Sequence, residues 1–222
     1  DPASSSPSNF VRVGLTTFFT AVTPNEGMEL WKTDGTLGGA TLVKDIFPGP
    51  MTSFVGEAVN VDGTLFFRAN DGVNGEALWK SDGTAAGTVL VKDINPGVDG
   101  SSLGELVNLG GTLIFRANDG TNGFELWKSD GTTAGTVLVK DINPGVGGTG
   151  SPSELVNVDG TLFFTADDGT NGTELWKSDG TVAGTVMVKD ISPGAGNSSP
   201  SELINVRGTL FFAANDGVNG KE

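Results

Sequence analysis

The stretch Glu29-Leu30-Trp31-Lys32-Thr33-Asp34-Gly35-Thr36 decides the fold, because a close copy of it returns three more times along the chain. Its four tryptophans are spaced 48, 48 and 49 residues apart: Trp31, Trp79, Trp127 and Trp176. A Val-Lys-Asp-Ile run and a Pro-Gly pair follow each copy, and an apolar pair containing at least one Phe precedes it. A fixed period of this length is the signature of a repeat architecture.

One period, residues 154–191, contains four short apolar runs separated by turns. The runs cover 154–158, 161–166, 174–178 and 185–191, and they are rich in β-branched and aromatic side chains. Asp-Gly and Asn-Gly pairs between them supply the positive φ angles that hairpins require. Each repeat is therefore predicted to form four antiparallel strands, and the density of Gly excludes helices.

A β-propeller and a β-solenoid both accept such a repeat. The period favours a propeller or a propeller-like array of four-stranded blades, because propeller repeats run about 40 to 50 residues. Runs such as Leu162-Phe163-Phe164 place apolar groups on both faces of a strand, as a blade between two neighbours requires. We predict one repeat domain over residues 1–222, divided into repeats 8–55, 56–103, 104–151 and 152–200 and a partial fifth repeat, 201–222.

Composition excludes several chemistries. The chain has 222 residues, no His and no Cys, so it cannot build a zinc site with those ligands, a His-dependent triad or a disulfide. Its net charge of −14 repels phosphate backbones and anionic lipids, and no apolar stretch approaches the roughly 20 residues that span a bilayer. We expect no nucleic-acid partner and no membrane insertion.

The octapeptide Glu-Leu-Trp-x-x-Asp-Gly-Thr resembles the bacterial ELWxxDGT repeat family, and the resemblance covers almost the whole chain, from about Phe10 to Glu222. It implies a large secreted or cell-surface protein of tandem propeller-forming repeats, and it implies no defined catalytic activity. The first repeat departs from the pattern, with Val22-Thr23-Pro24-Asn25-Glu26-Gly27 where later repeats have an Asn-Asp-Gly-x-Asn-Gly type of loop.

A catalytic centre is asymmetric, so candidate carboxylates should be those that do not recur. Of the 27 acidic residues, 22 fall into six recurring registers, and only Asp1, Glu26 and Asp99 are singular. A glycosidase needs two carboxylates about 5 to 10 Å apart with shifted pKa values. We therefore expect no enzyme activity, and a carboxylate-based glycoside hydrolase is the third alternative.

The Asn-Asp-Gly-x-Asn-Gly loops half resemble a calcium loop, but their third position is Gly and their twelfth position is Ser instead of Glu. A hairpin connection explains the same residues, so no metal site is assigned and no cofactor is expected. Calcium stays an alternative because of the acidic charge, with these candidate ligands: Asp71, Asn74, Asp119, Asn122, Asp168, Asn171, Asp216 and Asn219.

Three further residue types recur in every complete repeat: Trp, for which two roles are possible, and an Asp and a Lys, each with one interpretation. The four tryptophans are either sugar-stacking platforms, which would make the protein a lectin-like propeller, or core residues between blades. The Asp of each Asp-Gly-Thr is interpreted as a turn cap. The Lys of each Val-Lys-Asp-Ile run, as in Lys44 and Lys140, is interpreted as an exposed charge that deters aggregation.

The partial fifth repeat supplies only two predicted strands, 202–206 and 209–214, which would expose Phe211, Phe212 and an unpaired strand edge. We expect this segment to contact another chain or further repeats. The sequence as a whole predicts a non-catalytic extracellular structural or adhesive interaction module. The alternative is a carbohydrate-binding propeller that takes glycans as partners.

Overall fold

The computed structural model of the protein describes residues 5–145 and 148–222, so Asp1 lies outside the described residues. Their secondary structure consists of β-strands joined by turns and loops. The strands are β1 Ser8–Val13, β2 Thr16–Thr23, β3 Gly27–Thr33, β4 Thr41–Lys44, β5 Gly56–Val61, β6 Thr64–Asn70, β7 Glu76–Ser81, β8 Val89–Lys92, β9 Gly104–Leu109, β10 Thr112–Asn118, β11 Phe124–Ser129, β12 Val137–Lys140, β13 Ser153–Val158, β14 Thr161–Asp167, β15 Thr173–Ser178, β16 Val186–Lys189, β17 Ser201–Val206 and β18 Thr209–Ala213.

These strands form four antiparallel sheets of four strands and one sheet of two strands, each in simple sequence order. We call the complete sheets blades 1 to 4 (β1–β4, β5–β8, β9–β12 and β13–β16) and the pair β17–β18 the half-blade. The prediction of an all-β, propeller-like array with four strands per repeat is confirmed. Residues 5–145 and 148–222 contain no helix, and therefore none long and apolar enough to cross a membrane.

The fourth strand of each repeat is shorter than the sequence pattern predicts. In blade 4 the apolar run 185–191 yields only the strand Val186–Lys189. The ladder stops because the N–H of Ile191 donates to the Glu174 carboxylate, 2.9 Å away, instead of to a neighbouring strand. The Glu174 side chain thus accepts the hydrogen bond that a neighbouring strand would otherwise accept from the Ile191 N–H.

Two-residue turns connect the first and second strands of the blades. In blade 2, Asp62 and Gly63 have φ angles of 47° and 87°, and Asp159 and Gly160 in blade 4 have 48° and 85°. Positive φ at both positions is the geometry of the type I′ turn, which matches the twist of the paired strands. The predicted role of these Asp-Gly pairs is confirmed.

The residues of the chain contact one another mainly within two compact units, and each unit has its own hydrophobic core. The first unit runs to Gly104 and includes Gly131–Thr133, and the second comprises Glu105–Asp130 and Ala134–Glu222. In the first unit, Phe18 of blade 1 packs with Phe67 and Trp79 of blade 2. The second repeats this arrangement, with Ile114 of blade 3 packed against Phe164 and Trp176 of blade 4.

The two positions of the apolar pair that precedes each Trp motif therefore contact different neighbours. Within each unit, the first member faces the next blade, as Phe18 and Ile114 do. The second member lies beside the Trp of its own blade and faces the preceding blade, as Phe67 and Phe164 do. The predicted burial of both strand faces is confirmed.

Candidate functional site

The Glu of the Glu-Leu-Trp motif is buried and ties two segments of its blade together. Glu29 accepts hydrogen bonds from the backbone N–H groups of Ile46 and Phe47, at 3.0 and 3.3 Å. Glu125 accepts from the N–H of Ile142 and Gly150, at 2.9 and 2.6 Å. Each carboxylate thereby anchors the loop that follows the fourth strand. The sequence pattern marked this position as recurring but did not reveal this role.

Burial raises the pKa of Glu29 to about 7, although the hydrogen bonds from Ile46, Ser53 and Phe47 oppose the rise. Burial likewise raises the pKa of Glu125 to about 7, against the hydrogen bonds from Ile142 and Gly150. The nearby carboxylates of Asp45 and Asp141 add smaller upward contributions. A carboxyl group shifted in this way resembles a general acid, but both of these are fully shielded from solvent and engaged with backbone.

Blade 2 lacks this Glu, and polar residues in its loop replace it. Ala77 occupies the position, fully buried. The N–H of Asn95 donates to the Ser101 hydroxyl at 3.1 Å, and the Asn95 amide donates to the carbonyl of Gly100 at 2.8 Å. The displaced Glu76 instead forms an ion pair with Arg68, at 3.2 Å.

The Asp of each Asp-Gly-Thr closes a tight turn, as the sequence indicated. Asp82 accepts hydrogen bonds from both the N–H and the hydroxyl of Thr84, each at 2.8 Å. The downstream glycine is required because a Cβ added at Gly87 would lie 2.1 Å from the Asp82 carboxylate. Hydrogen bonds from Thr84, backbone first and side chain second, lower the pKa of Asp82.

The calcium candidates are the Asp and Asn residues of the Asn-Asp-Gly loops, and the loops use them internally. One carboxylate oxygen of Asp71 accepts from the N–H groups of Val73 and Asn74, and the other accepts from the Asn74 amide at 2.7 Å. Burial raises the pKa of Asp71, but these hydrogen bonds outweigh it and lower the pKa overall. The same three hydrogen bonds form in the other candidate pairs: Asp119 with Asn122, Asp168 with Asn171 and Asp216 with Asn219.

The described residues contain no group of three or more acidic side chains placed to hold a metal ion. The backbone N–H groups of the loops point at the carboxylates, which is the arrangement of an Asx turn. The hairpin interpretation therefore accounts for each oxygen of these Asp residues, and calcium binding stays an untested alternative.

Three of the four candidate sugar platforms lie in the core. Trp79, Trp127 and Trp176 are only 5–7% exposed, and Trp31 is half-buried. The ammonium of Lys44 lies 5.7 Å from the ring centre of Trp79, and that of Lys140 lies 5.6 Å from that of Trp176. These indole rings pack between blades and under a lysine, which is the core role that the sequence analysis weighed against sugar stacking.

Within each unit, lysines link one blade to the next, a role that sequence reasoning missed. Lys32 donates to the carbonyl of Gly83 at 2.7 Å, and Lys128 donates in the same way to Gly180 at 2.9 Å. The interpretation of Lys44 and Lys140 as exposed charges is wrong, because both are half-buried and donate to the carbonyls of Thr88 and Thr185 at 2.8 and 2.7 Å. The acceptors lie in the following repeat, 51 and 52 residues beyond Lys32 and Lys128 and 44 and 45 residues beyond Lys44 and Lys140, and no side-chain pattern in the sequence marks them.

In the second unit, the first strands of blades 3 and 4 add a further link. Glu105 and Glu154 adopt positive φ angles of 60° and 57°, and Glu154 lies at a bulge that interrupts the register of β13. Glu105 accepts from the N–H of Leu155 at 3.2 Å, and Glu154 accepts from that of Leu203 at 3.3 Å. The strained backbone directs each carboxylate toward the following strand pair.

No family model and no curated protein sequence matches the chain. Solved structures are similar to it at low identity. A puromycin hydrolase, solved as its S511A mutant complexed with PGG, has a TM-score of 0.54 and 15% identity, over 96% of this chain and 34% of that chain. A prolyl endopeptidase has a TM-score of 0.54 and 14% identity, over 100% of this chain and 35% of that one.

Prolyl oligopeptidase B from Galerina marginata is also similar, with a TM-score of 0.54 and 11% identity, over 94% of this chain and 30% of that one. The chain thus spans about a third of the length of the structures it resembles. At these identities the likeness concerns the fold alone.

Proposed function

We propose that the chain is a non-catalytic extracellular structural or adhesive module, built from propeller repeats of the ELWxxDGT type. The observation that supports this most is the use of the recurring polar residues. The side chains that define the repeat hold the repeat together, and apart from the missing Glu anchor of blade 2 they make the same contacts wherever they recur.

The acidic registers illustrate this use. Glu29 and Glu125 anchor loops, Asp82 closes a turn, and Asp71 closes a loop. A carboxylate that already accepts two or three hydrogen bonds from its own repeat has a structural role there, and it would have to give up some of these bonds to act in catalysis. These contacts support a role that depends on the surfaces of the repeats and not on a reaction centre.

The hydrolase alternative has one observation in its favour. Asp71 and Asp93 lie close enough for the charge of Asp71 to contribute to a raised pKa of Asp93, which burial raises first and the hydrogen bond from Gly97 opposes. Two carboxyl groups with opposite pKa shifts are typical of acid–base pairs. Here, however, Asp71 is held by its own loop, so it would have to give up those bonds to act.

The proposal is tested by incubating the chain with a panel of glycans while following both Trp fluorescence and product release. We expect neither a saturable fluorescence change nor turnover. Turnover abolished by Asp93→Asn, with the loop residue Asp119→Asn as the matched control, would establish the hydrolase alternative. A saturable fluorescence change that disappears in Trp31→Phe would instead establish glycan binding.

The adhesive part needs a positive measurement. Displayed on a non-adherent bacterium, the chain should increase attachment of cells to one another or to a surface, relative to cells that carry the display scaffold alone. Equal attachment in the two populations would contradict an adhesive role and leave only the structural one.

A further inference from the structure

The loops that join the second and third strands of blades 2, 3 and 4 each contain an Asn-Gly pair: Asn74-Gly75, Asn122-Gly123 and Asn171-Gly172. An asparagine followed by glycine is especially prone to lose its amide group. The reason is that glycine has no Cβ to hinder the attack of its backbone nitrogen on the amide carbon. These loops therefore place a reactive dipeptide at the same position in successive blades.

The fold holds the amide of each Asn by means of the aspartate three residues earlier. In blade 3, the Nδ2 group of Asn122 donates to one carboxylate oxygen of Asp119 at 2.8 Å. The backbone N–H of Asn122 donates to the other oxygen at 2.7 Å, and so does that of Thr121 at 2.9 Å. The Nδ2 bond holds the half-buried side chain in place, and departure of the amide nitrogen would remove its donor. The closed loop therefore opposes the reaction.

The glycine of each pair packs against the loop that follows the fourth strand of the same blade. A Cβ added at Gly123 would lie 2.6 Å from the carbonyl oxygen of Gly148 and 2.8 Å from the Cβ of Thr149. A Cβ added at Gly75 would lie 2.6 Å from the backbone nitrogen of Gly100. The main chain at these pairs has little room to bend toward the Asn side chain, so the two loops must separate before a ring can form.

Blade 1 shows how the same register accommodates a carboxylate. Glu26 stands where the later blades have Asn, and Thr23 stands where they have Asp. The Thr23 hydroxyl donates to the Glu26 carboxylate, and the Glu26 N–H donates to the Thr23 hydroxyl oxygen at 3.1 Å. A carboxylate formed from Asn122 would instead face the carboxylate of Asp119, without a donor between them, and the two charges would repel each other.

We propose that the Asn-Gly pairs of blades 2 to 4 are sites of spontaneous deamidation, that opening of the loop controls the rate, and that the product prevents the loop from closing as before. The Gly123 nitrogen bonds to Cγ of Asn122, the Cγ–Nδ2 bond breaks, and the amide leaves as ammonia, which takes the proton of the Gly123 N–H. Water then opens the succinimide ring and yields aspartate or isoaspartate.

Each event therefore consumes one water, releases one ammonia and adds one negative charge to a chain whose net charge is already −14. Aspartate places an acceptor where the loop requires a donor, and isoaspartate in addition lengthens the main chain by a methylene group beside a packed glycine. The inference does not depend on the proposed function, because a catalytic protein with these loops would deamidate in the same way.

Peptide mapping by mass spectrometry measures the rate at each Asn in the full chain, incubated at mildly alkaline pH with and without guanidinium chloride. We expect the native rates at Asn74 and Asn122 to be at least about tenfold below the denatured rates, because each loop must give up several hydrogen bonds to open. Asp119→Ala should raise the native rate at Asn122 by about tenfold and leave the rate at Asn74 unchanged. Asp71→Ala should do the reverse.

The two aspartate variants lie in different units, so each provides the control for the other, and circular dichroism spectra identical to that of the parent chain would establish that they are folded. Equal rates in the native and denatured chain would overturn the inference. It would also fail if both variants left the rate at their own Asn unchanged or lowered it, since the aspartates would then not protect the amides.

The effect of the product has its own test. Asn122→Asp copies one product of the reaction and should lower the melting temperature at neutral pH. Asn25→Asp, which adds the same charge at an exposed position in the corresponding loop of blade 1, should leave it unchanged. An Asn122→Asp variant as stable as the parent chain would show that the loop still closes after deamidation, and this would refute the proposed effect of the product.

Discussion

At the residue scale, the buried Glu of the repeat motif has a structural role, although its raised pKa resembles that of a catalytic group. Glu125 has the raised pKa of a general acid, yet its oxygens accept from Ile142 and Gly150 instead of facing a substrate. The raised pKa is therefore a structural consequence here, because burial in a core shifts a carboxyl group as strongly as a catalytic site does, even against the hydrogen bonds that it accepts.

Replacement of Glu125 by Ala should destabilise the chain. The substitution leaves two buried N–H groups without their acceptor, and we expect a loss of about 2 kcal/mol or more in the free energy of unfolding. Glu76→Ala is the matched control, because Glu76 forms only a partly exposed ion pair, and it should cost less than about 1 kcal/mol. Urea unfolding measures both, and equal losses would show that the anchoring bonds contribute nothing.

The same carboxyl groups should give the chain a distinctive dependence of stability on pH. The pKa values of Glu29 and Glu125 are about 7 in the fold, above the ordinary value of 4.5, so the folded state holds protons that the unfolded state has released. Stability should therefore be greatest below about pH 4.5 for these groups and should fall as the pH rises toward 7.

The turn and loop carboxylates act in the opposite direction, but at lower pH. The pKa values of Asp71 and Asp82 are lowered in the fold, so their contribution is lost only as the pH falls below about 4. Melting temperatures measured from pH 3 to pH 8 should pass through a maximum near pH 4 to 5. Glu125→Gln should flatten the decline on the alkaline side, and a variant with an unchanged profile would contradict the assignment.

At the element scale, the lysines of the third strands connect consecutive blades. Lys32 reaches the carbonyl of Gly83, whereas Lys177 at the same register has no acceptor among the described residues. Lys32→Gln should therefore lower the free energy of unfolding by about 1 kcal/mol, and Lys177→Gln should leave it within about 0.5 kcal/mol. Thermal unfolding of the two single variants makes the comparison, and a larger loss in Lys177→Gln would refute it.

At the scale of the whole molecule, the Asn-Asp loops recur along the chain, so a metal bound to them would contribute several times. Because each Asp in those loops already accepts N–H donors, we expect excess EDTA to leave the melting temperature unchanged. A drop that added calcium reverses and added magnesium does not would show that the loops bind calcium, since a ligand specific to the folded state stabilises it by mass action.

The sequence predicted the repeat, the four strands and the Asp-Gly turns, because these depend on local patterns of period two and on positive φ angles. It missed the linking role of Lys44 and the anchoring role of Glu29, because both act on backbone groups that carry no side-chain signature. A lysine whose partner is a carbonyl 44 residues away looks the same, in sequence, as a lysine in water.

The choice of backbone acceptors has a consequence for how such a protein can change over generations. Since Lys32 and Lys128 recognise the carbonyl of a glycine in a turn, the receiving repeat needs only the turn geometry and no particular partner side chain. A duplicated repeat would therefore carry both the lysine donor and the glycine carbonyl acceptor that this contact requires. For this contact, an array can lengthen by copying a single unit without a compensating substitution at the new junction.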